Sequence, residues 1–197
     1  YRAGLEDKRN SSVLYTNLAY AQYSSGNAEA ATKALRMALG INPWNRNALI
    51  LLSDIIEAEG LDRKIGIRYL SIYSAVAPHD VAILERLAKL HFDEDQPKAA
   101  INLLEKAREI ASSASVLNNI GTCWSRLGDK MKAAKYYSDA VALVGEVEHI
   151  YADMSAQVAA LNLASTLLDI GRMDQAVGLC LRYIQNAPNT EFLADKN

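Results

Sequence analysis

Helix breakers are scarce in this sequence. Four prolines and ten glycines are spread over 197 residues, which leaves long stretches free for helix and argues against a turn-rich β-sandwich. An excess of one charge is lacking too. The 21 Lys and Arg face 23 Asp and Glu, for a net charge of −2, and no run of like charge exceeds three residues. Binding a row of phosphates needs a concentrated basic patch, so nucleic acid is not an expected partner. No apolar run reaches the ~18 residues of a membrane-spanning helix. The most apolar of the long uncharged windows, residues 154–168, is 15 residues long and still contains Ser155, Gln157, Asn162, Ser165 and Thr166. No membrane insertion is expected. The two cysteines, Cys123 and Cys180, stand 57 residues apart without CxxC spacing. They make no disulfide framework, and a reducing compartment such as the cytoplasm is the default expectation.

What is present is a period. Half of the residues are hydrophobic and 22% are charged, enough to build a core. Gly26, Gly60, Gly128 and Gly171 are separated by 34, 68 and 43 residues, or one, two and one multiples of 34 with nine residues left over in the last gap. Pro43, Pro78 and Pro188 each follow one of those glycines by 17 or 18 residues. Small residues keep the same step: Ala31, Ala133 and Ala176 lie five after a glycine, and Ala100 lies five after Asp95. Ala38, Ala107 and Ala140 come seven further on. Within a block, Leu14, Leu18 and Gln22, then Ala31, Leu35 and Ala38, are spaced by three or four, the mark of amphipathic helices. Gly26-Asn27 and Gly128-Asp129 combine a helix-ending glycine with an N-cap candidate. In the third block Asp95-Gln96-Pro97 takes the place of the glycine turn, with Pro97 in a first helical turn where its missing N–H costs nothing.

These blocks resemble tetratricopeptide repeats, a family of 34-residue helical hairpins. Leu18-Ala19, Leu87-Ala88, Ile120-Gly121 and Leu163-Ala164 stand at the large–small pair of the first helix, and Tyr69, Tyr136 and Tyr137 at or beside the aromatic column of the second. The expected fold is all-α, and the resemblance implies a right-handed superhelical solenoid of antiparallel helix-turn-helix repeats. Five repeats are expected, at residues 12–45, 46–80, 81–113, 114–147 and 157–190. Residues 1–11 are expected to be a tail or a fragment of a preceding helix, and residues 191–197 a tail. The stretch between repeats four and five is expected to extend the first helix of repeat five back to about residue 148. With too little chain after Pro188 for a capping helix, the array is expected to be a piece of a longer one.

Chemistry is hard to find. HExxH, P-loop, GxGxxG and GxSxG are all missing, so no enzyme and no cofactor is expected. His79, His91 and His149 belong to different blocks, and neither cysteine has a ligand neighbour in sequence, so no metal site is expected. Cys123 and Cys180 are expected to be buried as small hydrophobes, and Trp44 to plug the joint between the first two blocks.

In the family the first helix of each repeat lines a concave wall. Carried over, that wall receives Val13, Asn17, Tyr20 and Tyr23, then Asn47, Asp54 and Glu57, then Glu85, Arg86, Lys89 and Phe92. Asn118, Asn119, Thr122 and Arg126 follow, and then Asn162, Ser165 and Asp169. Asn17, Asn119 and Asn162 share one column, and an Asn amide can both donate to and accept from a peptide backbone. Tyr20, Tyr23 and Phe92 are candidate aromatic anchors, with Arg86, Lys89 and Arg126 as charged contacts. The expected function is a non-catalytic scaffold that binds an extended or helical segment of another protein within a larger assembly. The alternatives are an array that self-associates through its end faces or its extended helix near residues 148–170, and a regulatory domain of a larger protein. The two-carboxylate clamp that co-chaperone repeats use for acidic chaperone tails is not expected. Its positions hold Val13, Asn17, Leu51, Ala82 and Arg86, without either lysine.

Overall fold

The computed structural model describes residues 2–145 and 153–185, which form ten α-helices and no strand. Contacts divide the chain into two compact units, residues 1–95 and 96–197.

The first unit holds α1 (Arg2–Ser24), α2 (Ala28–Ile41), α3 (Arg46–Glu59), α4 (Arg63–Val76) and α5 (Val81–Asp93). Residues 2–11, expected as a separate tail or fragment, are continuous with the first helix. No proline interrupts them, and the Ser11 and Thr16 hydroxyls donate to carbonyls one turn earlier at 2.8 and 2.9 Å. Helix starts are set by side-chain caps. Asn27, Asn45, Asp62 and Asp80 each accept from a backbone N–H in the first turn of the helix that follows. Helix ends are set by left-handed residues, at Gly26 (φ +82°) and Gly60 (φ +62°). At the third turn, Asp95 adopts φ +57° without being glycine, a conformation its short polar side chain tolerates.

Packing follows the period. Ala31, Leu35 and Ala38 of α2, Leu49, Leu52, Ile55 and Ile56 of α3, and Ile83 and Leu87 of α5 are all at most 2% exposed. Each buried Leu or Ile is worth roughly 1.5–3 kcal/mol relative to exposure. Two polar joints tie consecutive hairpins. Asn45 Nδ2 donates to Ser12 Oγ at 2.8 Å and Thr16 Oγ1 at 3.0 Å, while its Oδ1 caps α3. One repeat later, Arg46 pairs with both oxygens of Asp80 at 2.6 and 3.1 Å. Trp44 is not a plug: it is 46% exposed. The joint beside it is tied instead by the bonds from Asn45 to Ser12 and Thr16.

The second unit holds α6 (Pro97–Ile110), α7 (Ala114–Arg126), α8 (Lys130–Val144), α9 (Met154–Asp169) and α10 (Met173–Gln185). Gly121 lets α7 meet α8 closely: a Cβ there would stand 2.7 Å from two ring carbons of Tyr137. Tyr137 is 3% exposed and clusters with Ala133, Ala134, Leu163, Leu167 and Ala176. The expected extended helix of repeat five starts later than anticipated. Asp153 caps α9 by accepting from the N–H groups of Ser155 and Ala156, so the helix begins at Met154 and has 16 residues. Residues 146–152, the remainder of that expectation, lie outside the described residues.

Cys123 is buried as expected, and Cys180 is exposed. Cys180 occupies the column that holds Leu35, Leu104 and Tyr137 in other repeats, all at most 3% exposed. The difference lies in what covers that column: at Tyr137 it is Leu163 of the following hairpin, whereas Cys180 belongs to the last hairpin described.

Candidate functional site

In the first unit the candidate residues lie on α1, α3 and α5. Asn17, Tyr20 and Tyr23 are spaced by three along α1 and therefore share one side of it. Tyr20 is 46% exposed and Asn17 is exposed, while Tyr23 is half-buried. None of these three side chains hydrogen-bonds to another described residue. The neighbouring columns behave differently. Arg86 of α5 pairs with Asp54 of α3 and donates to the buried Ser53 Oγ at 3.0 Å. Lys89 reaches Glu57 at 3.3 Å and Asp93 at 3.6 Å. These pairs are half-exposed and worth about 0–1 kcal/mol each. Their larger consequence is electrostatic, because each cation expected to meet a partner already faces a carboxylate. Phe92, one turn beyond Lys89, is half-buried.

In the second unit Asn162 bonds not to its expected column mate but to the residue beside it. Asn162 Nδ2 donates to Oδ1 of Asn118, not Asn119, at 2.9 Å. Asn118 is 8% exposed, and its carbonyl accepts from Thr122 Oγ1 at 3.0 Å. The Tyr137 hydroxyl donates to Thr122 Oγ1 at 3.2 Å, extending the chain of bonds into the core. Asn162 thus links α7 to α9. Asn119 is half-buried with no side-chain hydrogen bond among the described residues, and Arg126 is exposed at the end of α7. Lys130 pairs with Asp169 at 2.5 Å, and Lys132 lies 4.0 Å from the centre of the Trp124 ring, a cation–π contact. The sequence did not reveal these bridges, since no periodic column places a lysine of a second helix opposite an acid of the next first helix.

Titratable groups among the described residues are shifted by burial and by ion pairing. No group of three or more His, Cys, Asp or Glu could hold a metal there. Burial pushes the Cys123 thiol up to about 11, so it is protonated at neutral pH and a poor nucleophile. Burial likewise raises the Tyr137 hydroxyl. Asp80 is held below the usual carboxylate range, chiefly by its bond from Arg46. No described helix is long and apolar enough to cross a membrane.

Two family models, both described as tetratricopeptide repeat, match residues 125–190 and 13–43. The human interferon-induced protein with tetratricopeptide repeats 2 is 30% identical over 131 residues, which is 63% of this chain and 28% of that protein. The chain therefore spans less than a third of that relative's length. Among solved structures, a MamA protein superposes with a TM-score of 0.72 at 19% identity, covering 89% of this chain and 91% of its own. The pilF protein of Pseudomonas aeruginosa gives a TM-score of 0.67 at 18% identity, covering 95% and 80%. At such identities the likeness concerns the fold.

Proposed function

We propose that this chain, a tetratricopeptide-repeat interaction scaffold, catalyses no reaction and holds an extended or helical segment of a partner protein on the first-helix faces of its repeats. The observation that carries this reading is the contrast within the candidate set. Arg86, Lys89 and Asn162 are engaged with neighbouring helices, whereas Asn17, Tyr20, Tyr23 and Asn119 satisfy nothing inside the described chain. Two tyrosines beside an unpaired amide offer apolar area, hydroxyls and backbone hydrogen bonding on a rigid helix, the chemistry that anchors peptides. Because Asp54, Glu57 and Asp93 neutralise the nearby cations, an acidic tail would gain little there.

The test is affinity capture with the wild-type chain beside Asn17→Ala/Tyr20→Ala/Tyr23→Ala, with helical circular dichroism and melting as folding controls. These positions are exposed or half-buried, so the variant should fold. A partner retained by wild type and lost by the folded variant supports the reading; a partner retained by both refutes it. Asn162→Ala is the wrong probe, because it would strip the nearly buried Asn118 of its bond.

A further inference from the structure

The second repeat departs from the period at one small residue. The fourth residue of the second helix is alanine in α2, α6, α8 and α10 (Ala31, Ala100, Ala133 and Ala176) and glycine in α4. A Cβ on Gly66 would stand 2.6 Å from Leu90 Cδ1 and 3.0 Å from Ile56 Cδ1. Helix α4 therefore lies closer to α3 and α5 than an alanine there would allow. Between α4 and α2 a cavity of about 690 Å³ remains. It lies between two consecutive hairpins, so a repeat added before α1 would not stack on it.

The floor of this cleft is apolar, formed by Leu52 and Ile56 of α3 with Leu61 and Ile65 beyond the turn. Its walls are charged and of opposite sign. On α2 stand Lys33 and Arg36, three residues apart and so on one side of the helix, with Glu29 a turn before them. Across the cleft stand Glu59 and Asp62, flanking Gly60. No ion pair joins these groups to one another or to any other described residue. A small anion would face three carboxylates here, and a small cation two basic groups. An apolar floor between a basic wall and an acidic wall instead matches an amphipathic helix, its apolar stripe edged by acids on one side and bases on the other. The size agrees. A helix about 10 Å across with a 5.4 Å pitch occupies roughly 420 Å³ per turn, so the cleft has room for about one and a half turns.

We propose that the cleft between α2 and α4 seats an amphipathic helix of a partner protein, its acids facing Lys33 and Arg36 and its bases facing Glu59 and Asp62. This goes beyond the peptide-binding reading and does not depend on it, since the cleft uses α2 to α4 and shares no residue with Asn17, Tyr20, Tyr23 and Asn119.

Fluorescence anisotropy with short labelled helical peptides and the full 197-residue chain tests it. The peptides share one leucine stripe and differ only at its edges: Glu facing Lys, Glu on both, or Lys on both. The mixed peptide should bind at least about tenfold more tightly than either single-sign peptide, since each of those sets like charges together along one wall. Lys33→Glu/Arg36→Glu, at exposed positions with no ion pair to lose, should leave the helical signal intact and make the Lys-edged peptide the tightest. Asn17→Ala/Tyr20→Ala/Tyr23→Ala should bind the mixed peptide as wild type does. Absence of binding, or equal affinity for all three peptides, would overturn the proposal. A preference unmoved by the charge reversal would overturn it too, placing the peptide on another apolar face. So would loss of binding in the α1 variant, which would move the peptide to the first-helix face.

Discussion

Replacing Gly121 by alanine isolates what the repeat's small-residue position does. In a helix interior, Gly→Ala alone gains about 1 kcal/mol from backbone entropy and propensity. Here the new Cβ would meet two Tyr137 ring carbons at 2.7 Å and the Ala133 carbonyl oxygen at 3.2 Å. Carbon pairs rest near 3.5–4.0 Å, so the ring must retreat by about 1 Å or the helices must part. Retreat is obstructed: the ring is 3% exposed among Ala134, Leu163, Leu167 and Ala176, and its hydroxyl is bonded to Thr122. Overpacking of this kind costs about 1–3 kcal/mol. The net expectation is destabilisation by up to roughly 2 kcal/mol, the strain term exceeding the propensity gain.

Gly178 of α10 is the internal control, since a Cβ there meets no heavy atom within 4 Å. Gly178→Ala should stabilise by about 0.5–1 kcal/mol. Urea unfolding in a Trp44→Phe background reads the second unit, because Trp124 packs against the Tyr137 cluster. The two variants should move the midpoint in opposite directions. A Gly121→Ala/Tyr137→Leu double variant should be more stable than the sum of the singles by about 1 kcal/mol, as the smaller side chain admits the methyl. If Gly121→Ala stabilises as much as Gly178→Ala does, the close-approach argument is wrong.

Asp80→Asn keeps an oxygen to cap α5 and removes the charge that Arg46 binds. Because the folded Asp80 titrates below an unfolded aspartate, its contribution is full above about pH 4 and lost as pH falls through the lower folded value. The variant should cost about 0.5–1 kcal/mol at pH 7 and progressively less as pH falls below about 4; a difference that stays constant in urea titrations across that range would contradict this. Asn45→Ala should cost about 2 kcal/mol, since it removes the α3 cap and both donors to Ser12 and Thr16. Asn45→Ser, which keeps a capping oxygen and places no charge in the joint, should lose less in the same denaturation assay. A maleimide should label Cys180 within the native chain and Cys123 only on unfolding, with equal labelling in native buffer as the contrary result.

The repeat period carried a great deal of the fold because each core position is defined by a neighbour one period away. Leu52, Leu87, Ile120 and Leu163 are buried alike, and the alanine series that marked the second helices is buried with them, from Ala31 to Ala176. The same logic explains where sequence reading failed. A column carries no information on what covers it, so Cys180, expected in the core, is exposed. Local chemistry overrode pattern at α9: an uninterrupted apolar stripe suggested a longer helix, and the Asp153 carboxylate capped it at Met154.

The candidate face was legible as a set of positions and illegible as a set of contacts, for a reason of scale. A column of a helical repeat fixes which side of a helix a residue occupies, but a hydrogen bond is decided within a few tenths of an ångström. Asn118 and Asn119 are adjacent in sequence, yet only Asn118 meets Asn162. Arg86 and Lys89 look like free cations until α3 supplies Asp54 and Glu57 opposite them. What survives this accounting is smaller than the inventory the repeat implies, and chemically simpler. Among the described residues, Asn17, Tyr20, Tyr23 and Asn119 of the candidate set make no side-chain hydrogen bond, three of them on one helix. Tyr20→Ala should therefore weaken capture of a partner segment while leaving the helical signal unchanged, and unchanged capture would count against this face.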